Sequence, residues 1–166
     1  MAEPQKFENF INGQWKEPQG GNYYPDINPA DYSDIVGYFP LSTKNDVDEA
    51  IQSAHIAFKS WSHMLPAERA KYLEKFAQLL DQEKERIGEA LCREEGKTIK
   101  EAIGEPSRGA VETSFFIGEG QRLEGITMPS DRKGVVSVAT RVPIGVVAAI
   151  SPWNFPFLTP VRKVIP

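Results

Sequence analysis

The run Ile150-Ser151-Pro152-Trp153-Asn154-Phe155-Pro156 sets an asparagine between two prolines. Each proline fixes its own φ and restrains the residue before it, here Ser151 and Phe155, to extended shapes. The loop is therefore stiff. Just before it, Val146-Val147-Ala148-Ala149-Ile150 is apolar on both faces, the pattern of a strand inside a parallel α/β sheet. The crevice beyond the carboxyl end of such a strand is where α/β folds bind ligands. An amide held there is a ready hydrogen-bond donor. Asn154 can equally bond its own backbone in a turn, and spacing alone leaves both readings open. Trp153, an aromatic after a strand, is by default core. Thr159-Pro160 reads as an N-cap followed by proline at the first helical position. A helix starting there would aim its N–H groups at the same crevice and favour an anion.

The other reactive side chains are read as structural. Cys92 falls in a helical stretch beside Leu91, with Glu94 and Glu95 close by, and nearby carboxylates work against the thiolate that a nucleophile needs. His55 and His63 are eight residues apart, a spacing that does not put them on one helix face, and no further zinc ligands cluster around them. Glu101 and Glu105 are expected on a solvated helix face. Gly118, Gly120 and Gly125 lie in or after a helical stretch and form no dinucleotide fingerprint.

Composition narrows the class. The chain has 166 residues, 40% hydrophobic and 25% charged, the profile of a soluble globular protein with one modest domain. A net charge of −4, with only short basic pairs such as Arg132-Lys133 and Arg162-Lys163, argues against a nucleic-acid partner. A single cysteine excludes an internal disulfide and a multi-cysteine metal site. The start MAEPQKFENF carries no apolar signal core, and the longest apolar run, Val146–Ile150, is too short to span a bilayer. A cytoplasmic location is expected, with no membrane partner.

The elements that must position the loop follow from the patterning. Phe10-Ile11-Asn12-Gly13-Gln14-Trp15 predicts a hairpin with a tight turn at Asn12-Gly13. A short strand is expected at Ile35–Phe39, with a turn at Asn28-Pro29-Ala30-Asp31 between. Val47, Ile51, Ala54, Phe58 and Trp61 step by four and three along one helix face. Pro66 opens the next helix, whose stripe continues through Leu73, Phe76, Leu80, Ile87 and Leu91 to a stop at Gly96. A third helix is expected from about Ile99 to Leu123, kinked or restarted at Pro106. Gly125–Gly134 reads as a loop, Val135–Val142 as a β segment with one exposed face, and Val146–Ile150 as the buried strand.

The segment from Pro143 to Pro156, read as PIGVVAAISPWNFP, resembles the first cofactor-domain strand and following loop of the aldehyde dehydrogenase family. Phe10-Ile11-Asn12-Gly13 with Trp15, Asn28-Pro29-Ala30, Glu95-Gly96-Lys97-Thr98, Arg108-Gly109-Ala110, Phe115-Phe116 and Gly118-Glu119 agree in order and spacing. The resemblance spans about Phe10 to Pro166. It implies an α/β fold of that type: an N-terminal unit (1–134) packing on a Rossmann-type cofactor domain, a β arm at 135–143 that pairs subunits, and the start of the cofactor domain at 144–166. The implied reaction oxidises an aldehyde to an acid with NAD or NADP. A cysteine thiolate attacks the carbonyl, the thiohemiacetal yields a hydride, and water hydrolyses the thioester. Asn154 is implied as the oxyanion donor, and Ile150, Ser151, Pro152, Trp153 and Asn154 as the cofactor-side wall. Phe116, Phe155 and Phe157 suggest an apolar wall at most, and the N-terminal half as a whole resembles semialdehyde dehydrogenases of sugar-acid or amino-acid catabolism. Ile27 and Glu94 fall where some relatives hold a monovalent cation through backbone carbonyls, and no metal site is assigned. The nucleophilic cysteine, the general-base glutamate and a ribose-binding lysine would lie beyond Pro166, so the 166 residues alone are expected to be an inactive, aggregation-prone part of a homodimer or homotetramer. A non-catalytic partner or a binding module is the competing expectation.

Overall fold

Asn12 and Gly13 both take positive φ, 54° and 74°, the geometry of a type I′ turn that matches the twist of a hairpin. They join β1 (Asn9–Ile11) to β2 (Gln14–Lys16), and Phe10 faces Trp15 with ring centroids 4.9 Å apart. The computed structural model describes residues 4–166; the first three residues of the N-terminal unit, and of the stretch read for a signal, lie outside the described residues. β3 (Tyr23–Ile27) pairs antiparallel with β4 (Ile35–Pro40), with a bulge at Asp26/Ile27. β3 went unread in the sequence because Pro25 sits inside it. The turn between them closes on side-chain bonds, Asn28 Oδ1 accepting from Ala30 N at 2.9 Å and Asp31 Oδ1 from Ser33 N at 3.0 Å. Arg93 then ties the turn to the helices through both oxygens of Asp34, at 2.9 and 2.6 Å.

α1 (Lys44–Trp61) starts where Asp46, buried at the first turn, accepts from the backbone N–H groups of Thr43 at 2.7 Å and Gln19 at 3.0 Å. Its predicted stripe is helical but largely open: Val47, Ile51 and Trp61 are exposed. α2 (Pro66–Gln82) opens on Pro66 as expected. The predicted single stripe from there to Gly96 divides, α3 (Lys84–Glu95) setting off after a break at Glu83. The run from Asp81 to Arg86 has no apolar residue to hold the helix in register, and the break turns α3 onto the next helix.

That helix, α4 (Ile99–Gly120), is the centre of the molecule and packs against α2 and α3. Ala102, Glu105, Pro106, Gly109 and Thr113 are its buried residues. Small side chains let the neighbours come close: a Cβ on Gly109 would lie 3.3 Å from Leu80, and one on Gly88 of α3 would lie 2.9 Å from the backbone N of Ile103. Pro106 causes no restart. The helix runs on through it from Ile99 to Gly120.

Beyond α4 the structure departs from expectation. Ile126–Pro129, read as loop, is β5, and it pairs antiparallel with β6 (Val136–Ala139) inside the predicted arm. Val146–Ile150 forms no strand; Val147 and Ile150 are exposed. A parallel strand needs neighbours to complete its hydrogen bonds, and every sheet among the described residues is a two-stranded antiparallel pair. No helix among the described residues is long and apolar enough to cross a membrane.

Candidate functional site

The Asn154 loop runs as turns and bends from Trp153 to Phe157 and feeds directly into α5 (Leu158–Val164). α5 caps on Phe157, so Thr159 and Pro160 are its second and third helical residues rather than cap and first. Pro160 still falls among the first turn's orphan N–H positions, where a missing donor does no harm. The first amides of α5 are not open to a ligand anion. Glu105 Oε2, reaching from α4, accepts from Phe157 N at 3.2 Å and Leu158 N at 3.0 Å.

Glu105 is thus not on a solvated face. It is 2% exposed, and its other oxygen receives the Lys97 ammonium. Lys97 also pairs with Glu95 at 2.8 Å, donates to the Asn154 backbone carbonyl at 3.4 Å, and lies 4.8 Å over the Phe155 ring. Burial works against the Lys97 charge, but the bonds from Glu105 and Glu95 outweigh it and hold the ammonium above the ordinary lysine pKa. The sequence carried a signal for Glu105: it falls in register with Ala102, Gly109 and Thr113 along α4's small-residue face. Glu101, by contrast, is exposed and accepts from Thr98 Oγ1 at 2.8 Å at the helix start.

The rest of α5 is docked by a second carboxylate. Glu112, two turns along α4, accepts from Arg162 Nε and Nη2 and from Arg108 Nε, each at 2.7 Å. Arg162 above all, against some opposing desolvation, and then Arg108 hold its carboxyl down to about 2. Two anions on one helix therefore fix both the start and the middle of α5.

The residues read as a cofactor-side wall are contiguous and open. Ile150, Pro152, Trp153 and Asn154 are exposed, Trp153 at 80%, so it is not core. Ser151 is half-buried, and its Oγ has no partner among the described residues. The three phenylalanines do not form one wall. Phe157 lies in a groove with Tyr72, Phe76 and Val161, Phe116 lines a cleft with Trp61 and Leu73, and Phe155 sits under Lys97.

The other candidates take structural places. Cys92 donates to the Lys97 backbone carbonyl at 3.1 Å. His63 Nδ1 is 2.9 Å from the Lys59 carbonyl at the end of α1, and His55 is exposed. Burial, and then repulsion from Asp26, Glu95 and Glu105, pushes the Glu94 carboxyl up. No group of three or more His, Cys, Asp or Glu among the described residues is placed to hold a metal ion.

Residues 15–166 match the model of the aldehyde dehydrogenase family. The chain belongs to that family. It is 43% identical over its whole length to an alpha-ketoglutaric semialdehyde dehydrogenase of Bacillus subtilis, covering 34% of that protein. Its fold superposes on an NADP-dependent glyceraldehyde-3-phosphate dehydrogenase of Bacillus halodurans, solved with NADP, at a TM-score of 0.90 and 34% identity, over 99% of this chain and 35% of the other. A betaine aldehyde dehydrogenase of Staphylococcus aureus in complex with NAD+ gives 0.90 at 27% identity, over 95% and 32%. The architecture is therefore that of the aldehyde dehydrogenase α/β fold, of which the chain spans about a third of its relatives' length.

Proposed function

We propose that this chain supplies the oxyanion donor and one wall of the cofactor crevice of an NAD- or NADP-dependent aldehyde dehydrogenase. The observation that carries the reading is the proline-bracketed Asn154, exposed on a loop clamped by Lys97 and Glu105, in a chain of this family. When a thiolate adds to an aldehyde carbonyl, the oxygen gains negative charge. The Asn154 amide donates to that oxygen and keeps its own protonation state throughout. The residues present suit a nicotinamide dinucleotide: the orphaned Ser151 Oγ can bond a ribose hydroxyl, and Ile150 and Trp153 offer apolar surface to a flat ring. Bound there, the dinucleotide supplies the hydride acceptor.

In this reading the nucleophilic cysteine and general-base glutamate come from outside residues 1–166, and these residues alone turn over no aldehyde. Residues 1–134 pack on the cofactor domain, 135–143 serve as the arm, and 144–166 begin the cofactor domain. The β5–β6 hairpin exposes Ile126 and Met128 on one face and Val136 and Val138 on the other, apolar surface suited to pairing subunits in a homodimer or homotetramer. The semialdehyde relative named above supports a small-molecule semialdehyde as substrate, and we read the enzyme as cytoplasmic. The test is Asn154→Ala in the full-length enzyme. Loss of one such donor lowers kcat about a hundredfold or more, with dinucleotide affinity little changed; an unchanged kcat refutes the assignment.

A further inference from the structure

We propose that Glu105 is a positioning residue for the Asn154 loop: its buried carboxylate, bridging Lys97 to the first amides of α5, fixes where the Asn154 side chain points. The inference rests on the reading of Asn154 as the oxyanion donor.

A carboxylate 2% exposed is expensive to bury unless its oxygens are satisfied. Both are, and by two different structures. One oxygen holds Lys97, fixed just after α3, and the other holds the Phe157 and Leu158 amides at the threshold of α5. Lys97 in turn reaches the front of the same loop, through the Asn154 carbonyl at 3.4 Å and the Phe155 ring at 4.8 Å. The stretch from Asn154 to Leu158 is thus tied at both ends to one ion pair. The anchor itself cannot drift, because Glu105 sits in the buried face of α4 beside Pro106 and Gly109. Removing the carboxylate frees two amides and leaves Lys97 to Glu95 alone, 2.8 Å away, while Asn154 itself is untouched.

A salt bridge that only stabilised the fold would not distinguish this loop from any other. The experiment therefore compares Glu105→Ala and Glu105→Gln in the full-length enzyme, each alone and combined with Asn154→Ala. It reads kcat and KM together with amide hydrogen exchange of the 151–158 segment. Glu105→Ala is expected to speed exchange at Phe157 and Leu158 and to lower kcat by roughly 10–100-fold, the scale of a 1 Å misplacement, with KM for the dinucleotide little changed. Glu105→Gln keeps an acceptor oxygen and falls between. In the Asn154→Ala background, Glu105→Ala should cost no further turnover, because the group it positions is gone. Additive losses, or unchanged exchange, overturn the proposal. If Asn154→Ala leaves kcat unchanged, the donor reading fails, and the exchange data alone then decide whether Glu105 holds the loop. Should Glu105→Ala not fold, Glu105→Gln and Lys97→Met give the same two readouts.

Discussion

A methyl group added at Gly88 sets two opposed effects against each other. Gly88 lies inside α3, and glycine within a helix is about 1 kcal/mol worse than alanine, so propensity alone favours Gly88→Ala. The new Cβ, however, would overlap Ile103 Cγ1 and lie 2.9 Å from Ile103 N and 3.0 Å from Ile103 Cα. The Cγ1 contact can relax by side-chain rotation. The two backbone contacts cannot, and restoring ordinary separations of ~3.5–4 Å moves α3 off α4 by roughly 0.5–1 Å. Overpacking of that kind costs about 1–3 kcal/mol, which exceeds the propensity gain, so Gly88→Ala should be net destabilising. Gly104 in α4 is the control, since a Cβ there meets nothing within 4 Å and Gly104→Ala should stabilise by about 0.5–1 kcal/mol. Urea unfolding followed by circular dichroism reads both. The midpoints should move in opposite directions; a Gly88→Ala protein as stable as Gly104→Ala would refute the close α3–α4 approach.

Cys92 gives a simple expectation. Its Sγ only donates to the Lys97 carbonyl, and a serine hydroxyl can do the same, so Cys92→Ser should leave turnover of the full-length enzyme unchanged. A loss beyond about tenfold would restore Cys92 as a nucleophile. The Glu112 network gives a pH dependence. Its folded pKa of about 2 lies below the ordinary 4.5, so its contribution is complete above about 4.5 and is lost as pH falls from there through about 2. Glu112→Gln should therefore be less stable than the parent at neutral pH, with the gap closing in acid; a gap independent of pH would contradict the ion pair.

The sequence was most legible where local chemistry decides the outcome. Asn12-Gly13 requires positive φ and forms its hairpin, Pro66 starts a helix, and Gly96 ends one in the left-handed region. Reading was weakest where the outcome depends on distant partners. Val146–Ile150 has the composition of a buried strand, but a strand exists only with neighbours, and composition does not supply them. Glu105 and Glu101 are both glutamates on one helix, four residues apart. One is buried under α5 and the other bonds a threonine at the helix start, a difference set by which face α5 covers. The loop at Asn154 was legible as a stiff loop, because two prolines say so locally. That a lysine and a glutamate brought in by α3 and α4 clamp it was not, because those contacts span 52 to 57 residues.

Those long spans also order events in time. Each hairpin joins strands adjacent in sequence, and α2, α3 and α4 pack on near neighbours, so these parts can form as soon as they leave the ribosome. Leu158 follows Glu105 by 53 residues, a delay on the order of several seconds at ordinary synthesis rates. The Lys97–Glu105 pair can therefore form before the loop it holds exists. On that order the loop that bears Asn154 is laid onto helices already assembled, so a change within the loop should leave the packing of α2, α3 and α4 beneath it intact.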